Sequence, residues 1–317
     1  MKKILLFLLA IAASAAFALG PSSGQAQDKK LRVIFITHGQ AGDPYWNAIK
    51  NGLAEAAKTF NADVQYEAPD VFDMSAMGKM IDAAVATHPD GIVVSIPDGE
   101  ALRTPIESAL AAGIPVIGID SGLTAFQGLG VMAYLGQDEY AAGVSVGERL
   151  KEAGATHIMC INMEVGNTDL DKRCRGVKDG SGVQQTILPV TLTDPVDAKS
   201  RISGALQRDA TIDGIIALGP TAAAPMLAAV EELDAKGRLK AMATFDMTPE
   251  ILEKVADGTL LFATDAQQFL MGYIPVALIH NYLLYGVMPG IAWPTGPGFV
   301  TKDKAAGVIE LSRKGFR

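Results

Sequence analysis

The chain has 317 residues, 49% of them hydrophobic but only 6% aromatic, with 27 basic against 35 acidic residues. A net charge of −8 with no Lys/Arg cluster argues against nucleic acid or an anionic membrane surface as a partner. The wealth of Ala, Gly, Val and Ile suits helices packed on a parallel sheet, and the length allows two domains.

Met1-Lys2-Lys3 precedes an apolar run over 4–19 that only Ser14 interrupts, the pattern of a secretory signal peptide over 1–26. The run is short for a membrane span, which needs about 20 apolar residues. Cleavage is expected after Ala26 in preference to Ala18, because periodic patterning begins only at Leu31. No Cys lies near that point, so a lipid anchor is not expected; a freely diffusing periplasmic protein is. Loss of Lys2 and Lys3 takes the charge from −8 to about −10. Residues 274–293 are also apolar, but His280, Asn281, Gly286 and two prolines break the run, which reads as a buried helix.

From Leu31 onward, short β-branched runs alternate with helical periods. Strands are expected over 31–37, 63–67, 91–96 and 114–119, with helices over 44–60, 74–87 and 101–112. A helix over 139–153 opens a second series. It has strands over 157–162, 186–192, 214–218, 240–245 and 261–264, and helices from about 170 and over 198–208, 222–233 and 249–256. The alternation means βαβ units and parallel sheets. The halves repeat in detail. Pro89-Asp90-Gly91-Ile92 answers Ile212-Asp213-Gly214-Ile215, and the strand ending in Asp120 answers the one ending in Asp246. Such a repeat argues for two similar lobes.

Ligands of open parallel sheets bind beyond the carboxyl ends of the strands, so residues there are the candidate site. After the first strand come His38, Asp43, Tyr45 and Trp46. Asp43 and Pro44 also suit the start of a helix. The two aromatics offer flat apolar faces that fit the C–H face of a sugar ring. Asp120 with Ser121, and Asp246, end the repeated strand; a carboxylate there accepts hydrogen bonds from neighbouring hydroxyls. Asp246 also suits the capping of the helix near Pro249. Asp265 and Gln267 form another polar strand end. Arg173 brings a rigid fork of donors. Cys160 and Cys174 are the two cysteines, and either a bond between them or two buried thiols fits the sequence. Metal ligation and cofactors are not expected. The phosphate-loop, dinucleotide and nucleophile-elbow motifs of enzymes are missing too.

Several stretches in this order resemble the type I periplasmic sugar-binding proteins, a family similar to ribose-binding protein that serves ABC importers. They are Asp43-Pro44-Tyr45-Trp46, Pro89-Asp90-Gly91-Ile92, Gly136-Gln137-Asp138-Glu139-Tyr140, Arg173-Cys174-Arg175-Gly176, Thr244-Phe245-Asp246 and Thr295-Gly296-Pro297-Gly298-Phe299-Val300. The resemblance implies two doubly wound α/β lobes joined by a three-strand hinge. One lobe would hold 28–136 and 266–296, the other 137–265 and 297–317, with crossovers near Gln137, Asp265 and Gly296. It implies ligand contacts from Asp43, Tyr45, Trp46, Asp120, Arg173, Asp246 and the Asp265 region. The ligand would be a sugar or polyol, the partner an importer permease and, in some members, a chemoreceptor, and the protein a monomer without catalytic activity. Gly219-Pro220 departs from the polar residue of ribose-like members, so ribose itself is not implied. A non-sugar signal of the furanosyl type and a secreted α/β enzyme are the alternatives.

Overall fold

A computed structural model describes residues 30–39, 43–290 and 292–317. The expected signal peptide lies outside the described residues. The first series runs β1 (Leu31–Ile36), α1 (Tyr45–Thr59), β2 (Ala62–Glu67), α2 (Met74–Ala86), β3 (Gly91–Ser95), α3 (Arg103–Ala111), β4 (Val116–Ile119) and β5 (Ala133–Gly136). The second runs α4 (Glu139–Glu152), β6 (His157–Asn162), α5 (Thr168–Ser181), β7 (Gln184–Pro189), α6 (Pro195–Arg208), β8 (Gly214–Ala217), α7 (Pro220–Glu232), β9 (Ala241–Thr244), α8 (Pro249–Ala256) and β10 (Phe262–Asp265). The chain closes with α9 (Gln268–Tyr285), β11 (Ala292–Pro294), β12 (Gly298–Thr301) and α10 (Lys302–Arg313).

These strands form two six-stranded sheets, ordered β11-β5-β4-β3-β1-β2 and β12-β10-β9-β8-β6-β7. The first five strands of each lobe thus occupy the same places, and only β12 pairs antiparallel. The two lobes expected from the repeat are present. Each strand feeds alternate side chains to opposite faces. In β1, Ile34 and Ile36 enter one core while Val33 and Phe35 enter another. In β8, Ile215 and Ala217 face one side and Ile216 the other. Two-sided burial explains the unbroken apolar runs that made the strands readable.

Helices seal the sheets at close range. A Cβ on Gly52 of α1 would sit 2.1 Å from the Phe269 carbonyl oxygen of α9, and one on Gly272 would sit 2.0 Å from that of Ile49. Gly143 of α4 and Gly176 of α5 meet in the same way, so both helix pairs touch backbone to backbone. Apolar residues 274–285 fall in α9, with Met271, Val276 and Ile279 buried against the first sheet.

The chain passes between the sheets at β5→α4, β10→α9 and β11→β12. The passages lie side by side. Thr295 N–H donates to Gly136 O at 3.1 Å, Gln267 Nε2 donates to the Thr295 carbonyl, and Gly296 packs against Asp265 and Gln137.

Candidate functional site

Both sheets reverse direction at their first strand. β1 lies between β2 and β3, and β6 between β7 and β8. A crevice opens at such a switch point, beyond the strands' carboxyl ends. Here the two crevices face one another around a cavity lined by residues of both lobes.

From the first lobe, β1 delivers His38. Its Nδ1 lies 2.7 Å from Ser95 Oγ, and its Nε2 lies 3.7 Å from both Asp120 and Glu164. Burial lowers the imidazole's pKa against the pull of Glu164. Asp43 accepts the Tyr45 N–H at 3.1 Å, so it serves the start of α1 and lines the cavity at once. Burial pushes its carboxyl up to about 6. Trp46 is 2% exposed and meets His38 edge-on at 4.9 Å. A Cβ on Gly39 would lie within 2.8 Å of the Trp46 ring, so the loop passes there only as glycine. Trp46 therefore belongs to the core and the cavity wall together.

Asp120 and Asp246 follow β4 and β9 and share one unusual backbone setting, with φ of 63° and 59°. Asp tolerates the left-handed region better than most residues. The sequence repeat is thus a repeat of geometry. Asp120 accepts hydrogen bonds from the Tyr45 hydroxyl and from Ser121 Oγ at 3.0 Å. Asp246 accepts from Gln268 Nε2 at 2.9 Å and from Arg173 Nη1 at 3.3 Å. Thr248, and not Asp246, caps α8 by accepting the Ile251 N–H at 3.3 Å.

Arg173, on the second turn of α5, is 5% exposed. It donates to Glu139 from Nε and from Nη2 (3.1 Å), and to the Leu218 carbonyl at 2.9 Å, with its guanidinium over the Phe245 ring. Burial works against its charge, but Glu139 and Asp246 more than offset that. Burial also raises Glu139 to about 7 and Asp246 to about 8, despite the nearby guanidinium. It raises Asp120 and Glu164 as well. Cys160 of β6 and Cys174 are disulfide-bonded, with Cα atoms 5.9 Å apart, so α5 is tied to the sheet beside Arg173.

The lobes touch through the start of α5. Asp169 accepts the Gly122 N–H at 2.8 Å, Thr168 Oγ1 donates to the Pro97 carbonyl at 2.7 Å, and Lys172 Nζ donates to Thr124 Oγ1 at 2.9 Å.

Eight of the ten expected contact residues line this cavity: His38, Asp43, Tyr45, Trp46, Asp120, Ser121, Arg173 and Asp246. Asp265 and Gln267 are not among its lining residues. β10 runs straight into a passage between the sheets, so its polar end faces other chain. Asp265 pairs with Arg317, and Gln267 holds Thr295. Sequence reasoning missed Glu139, Glu164, Asn167 and Asp169, which also line the cavity. The signal was available: Glu164, Asn167 and Asp169 follow β6 as His38 and Asp43 follow β1, and Asn167 caps α5 by accepting the Asp169 N–H at 3.0 Å.

Two similar α/β lobes with a polar cavity between their switch points define a class of two-lobed solute receptors. Residues 15–286 match the family model described as periplasmic binding protein domain, and the chain belongs to that family. A carbohydrate transporter from Acidothermus cellulolyticus, solved in complex with myo-inositol, is 34% identical; the match covers 91% of this chain and all of that one, with a TM-score of 0.87. The xylose/arabinose-binding protein XylF of Sulfolobus acidocaldarius is 23% identical over 89% of this chain and 74% of its own length. A solute-binding protein from Burkholderia graminis, solved with D-arabinose, is 22% identical and has a TM-score of 0.79, covering 87% of this chain and 97% of that one; at this identity it shows the fold alone.

Proposed function

We propose that this protein captures a neutral ring polyol, a sugar or a cyclitol, in the inter-lobe cavity and delivers it to an ABC importer after export to the periplasm. The observation that carries this reading is the cavity wall itself, where carboxylates from both lobes, Asp43 and Asp120 opposite Asp246 and Asp169, surround Trp46 and Arg173. Carboxylates accept hydrogen bonds from hydroxyls, and an aromatic face covers the apolar C–H face of a ring. The myo-inositol complex of the 34% identical relative supports a ligand of this kind. Contacts from both lobes give a ligand more affinity for the closed form than for the open one, and that difference drives closure. The three adjacent passages at Gln137, Asp265 and Gly296 serve as the hinge. Binding needs no covalent step, so no turnover is expected. Native mass spectrometry of the purified protein is the test. A bound neutral polyol, recovered unchanged, supports the reading; conversion of the ligand to product overturns it.

A further inference from the structure

The hydrogen-bonding capacity of the cavity wall is lopsided. Six carboxylates line it: Asp43, Asp120, Glu139, Glu164, Asp169 and Asp246. The donors are largely consumed by these same groups. The Tyr45 hydroxyl and Ser121 Oγ both donate to Asp120. Asn167 Nδ2 donates to Glu164 at 2.9 Å, and the guanidinium of Arg173 is shared among Glu139, Asp246 and the Leu218 carbonyl. The start of α7 also faces the cavity through Gly219 and Pro220. Pro220, the first residue of α7, has no N–H and so removes one first-turn donor, and the Ala222 N–H is taken by the Gly219 carbonyl at 3.1 Å. With its carboxyl groups ionised, the described wall mostly accepts, and the ligand must bring the hydrogens.

This requirement separates two kinds of ring polyol. An aldose ring contains an ether oxygen that only accepts, and a sugar acid adds an anion that only accepts. A cyclitol carries a hydroxyl on every ring carbon and has neither group. We propose that the cavity selects cyclitols over aldoses with the same hydroxyl arrangement, with Pro220 as a specificity-determining residue. The proposal rests on the solute-binding reading above. A buried acceptor left facing another acceptor loses its hydration without replacement, which is why sites built for one pattern of donors reject the other strongly.

The test is calorimetric titration of the full-length mature chain, stripped of endogenous ligand by unfolding and refolding. It is run at pH 8.5, above the values of about 6, 7 and 8 to which Asp43, Glu139 and Asp246 are raised. The probes are myo-, scyllo- and D-chiro-inositol, D-glucose, D-galactose, D-xylose and D-glucuronate. At least one inositol is expected to bind tenfold or more tightly than every aldose, with no binding of glucuronate. Pro220→Ser restores an N–H and adds a hydroxyl; it is expected to narrow the inositol-to-aldose ratio at least threefold. An aldose binding as tightly as the best inositol, or a ratio unmoved by Pro220→Ser, overturns this inference and leaves the solute-binding reading standing. Failure of both inositols and aldoses to bind overturns both.

Discussion

Asp120 and Asp246 hold the same backbone corner on opposite lobes, and each carries hydrogen bonds that orient its carboxylate. Replacing either with Asn keeps the shape and removes the charge. Each change is expected to weaken ligand binding more than tenfold by calorimetry, equivalent to at least about 1.4 kcal/mol; unchanged affinity would put the ligand elsewhere. Asp246 also carries a pH signature. Its carboxyl is raised to about 8 by burial, against about 3.9 in an unfolded chain. Between those values the folded state holds more protons than the unfolded one. The stability linked to that proton is full below about pH 4 and lost as pH rises through about 8. The melting temperature of the wild type relative to Asp246→Asn is therefore expected to fall from pH 5 to pH 8.5. A constant difference would show that Asp246 ionises normally. These two aspartates were legible because a repeated strand marked them. Glu164, Asn167 and Asp169 were not, since a polar stretch after a strand looks the same in sequence whether it meets solvent or another lobe. Burial of Glu164 and Asp169 comes from the facing lobe, which no local pattern encodes.

At the scale of elements, long amphipathic helices and the buried strands β1, β3, β6 and β8 could be read because two-sided burial demands continuous apolar runs. Strands β5, β11 and β12 were not read from the sequence and are defined by pairing with their neighbours. Close helix pairing was also hidden, because glycine in a helix reads as weakness. In α9 it is the opposite: Gly272 lets α9 lie against the backbone of α1. Gly272→Ala is expected to destabilise the protein by about 1–3 kcal/mol through overpacking, read as a lower denaturant midpoint with an unchanged slope. An unaffected midpoint would mean that the two helices separate freely.

At the scale of the molecule, the residues after α10 reach from the second lobe back to the first. Asn51 of α1 donates to the Gly315 carbonyl at 3.2 Å, Phe316 meets Phe269 of α9 at 5.4 Å, and Arg317 pairs with Asp265 in the passage between the sheets. α10 itself stays with α8, where Arg313 holds Glu253 at 2.8 Å. The segment therefore spans the two lobes. An aromatic pair of this kind contributes about 0.5–1.5 kcal/mol. Phe316→Ala is expected to weaken ligand binding about fivefold and to raise the radius of gyration of the liganded protein in solution scattering. Equal affinity and equal radius would show that the contact is indifferent to closure.

The interleaved path of the chain also dictates an order of assembly. The first sheet takes its edge strand β11, and its covering helix α9, only after the whole of β6 to β10 has been made. A chain emerging from its amino end thus cannot finish its first lobe until β6 to β10 have been made. Until α9 arrives, the face of α1 that carries Ile49, Leu53 and Gly52 lacks its partner helix. Contacts so distant in sequence are slow to close, and exposed apolar faces invite aggregation meanwhile. The later lobe has β6 to β10 in one continuous stretch, but it too waits for its edge strand β12 and for α10, the last elements of the chain.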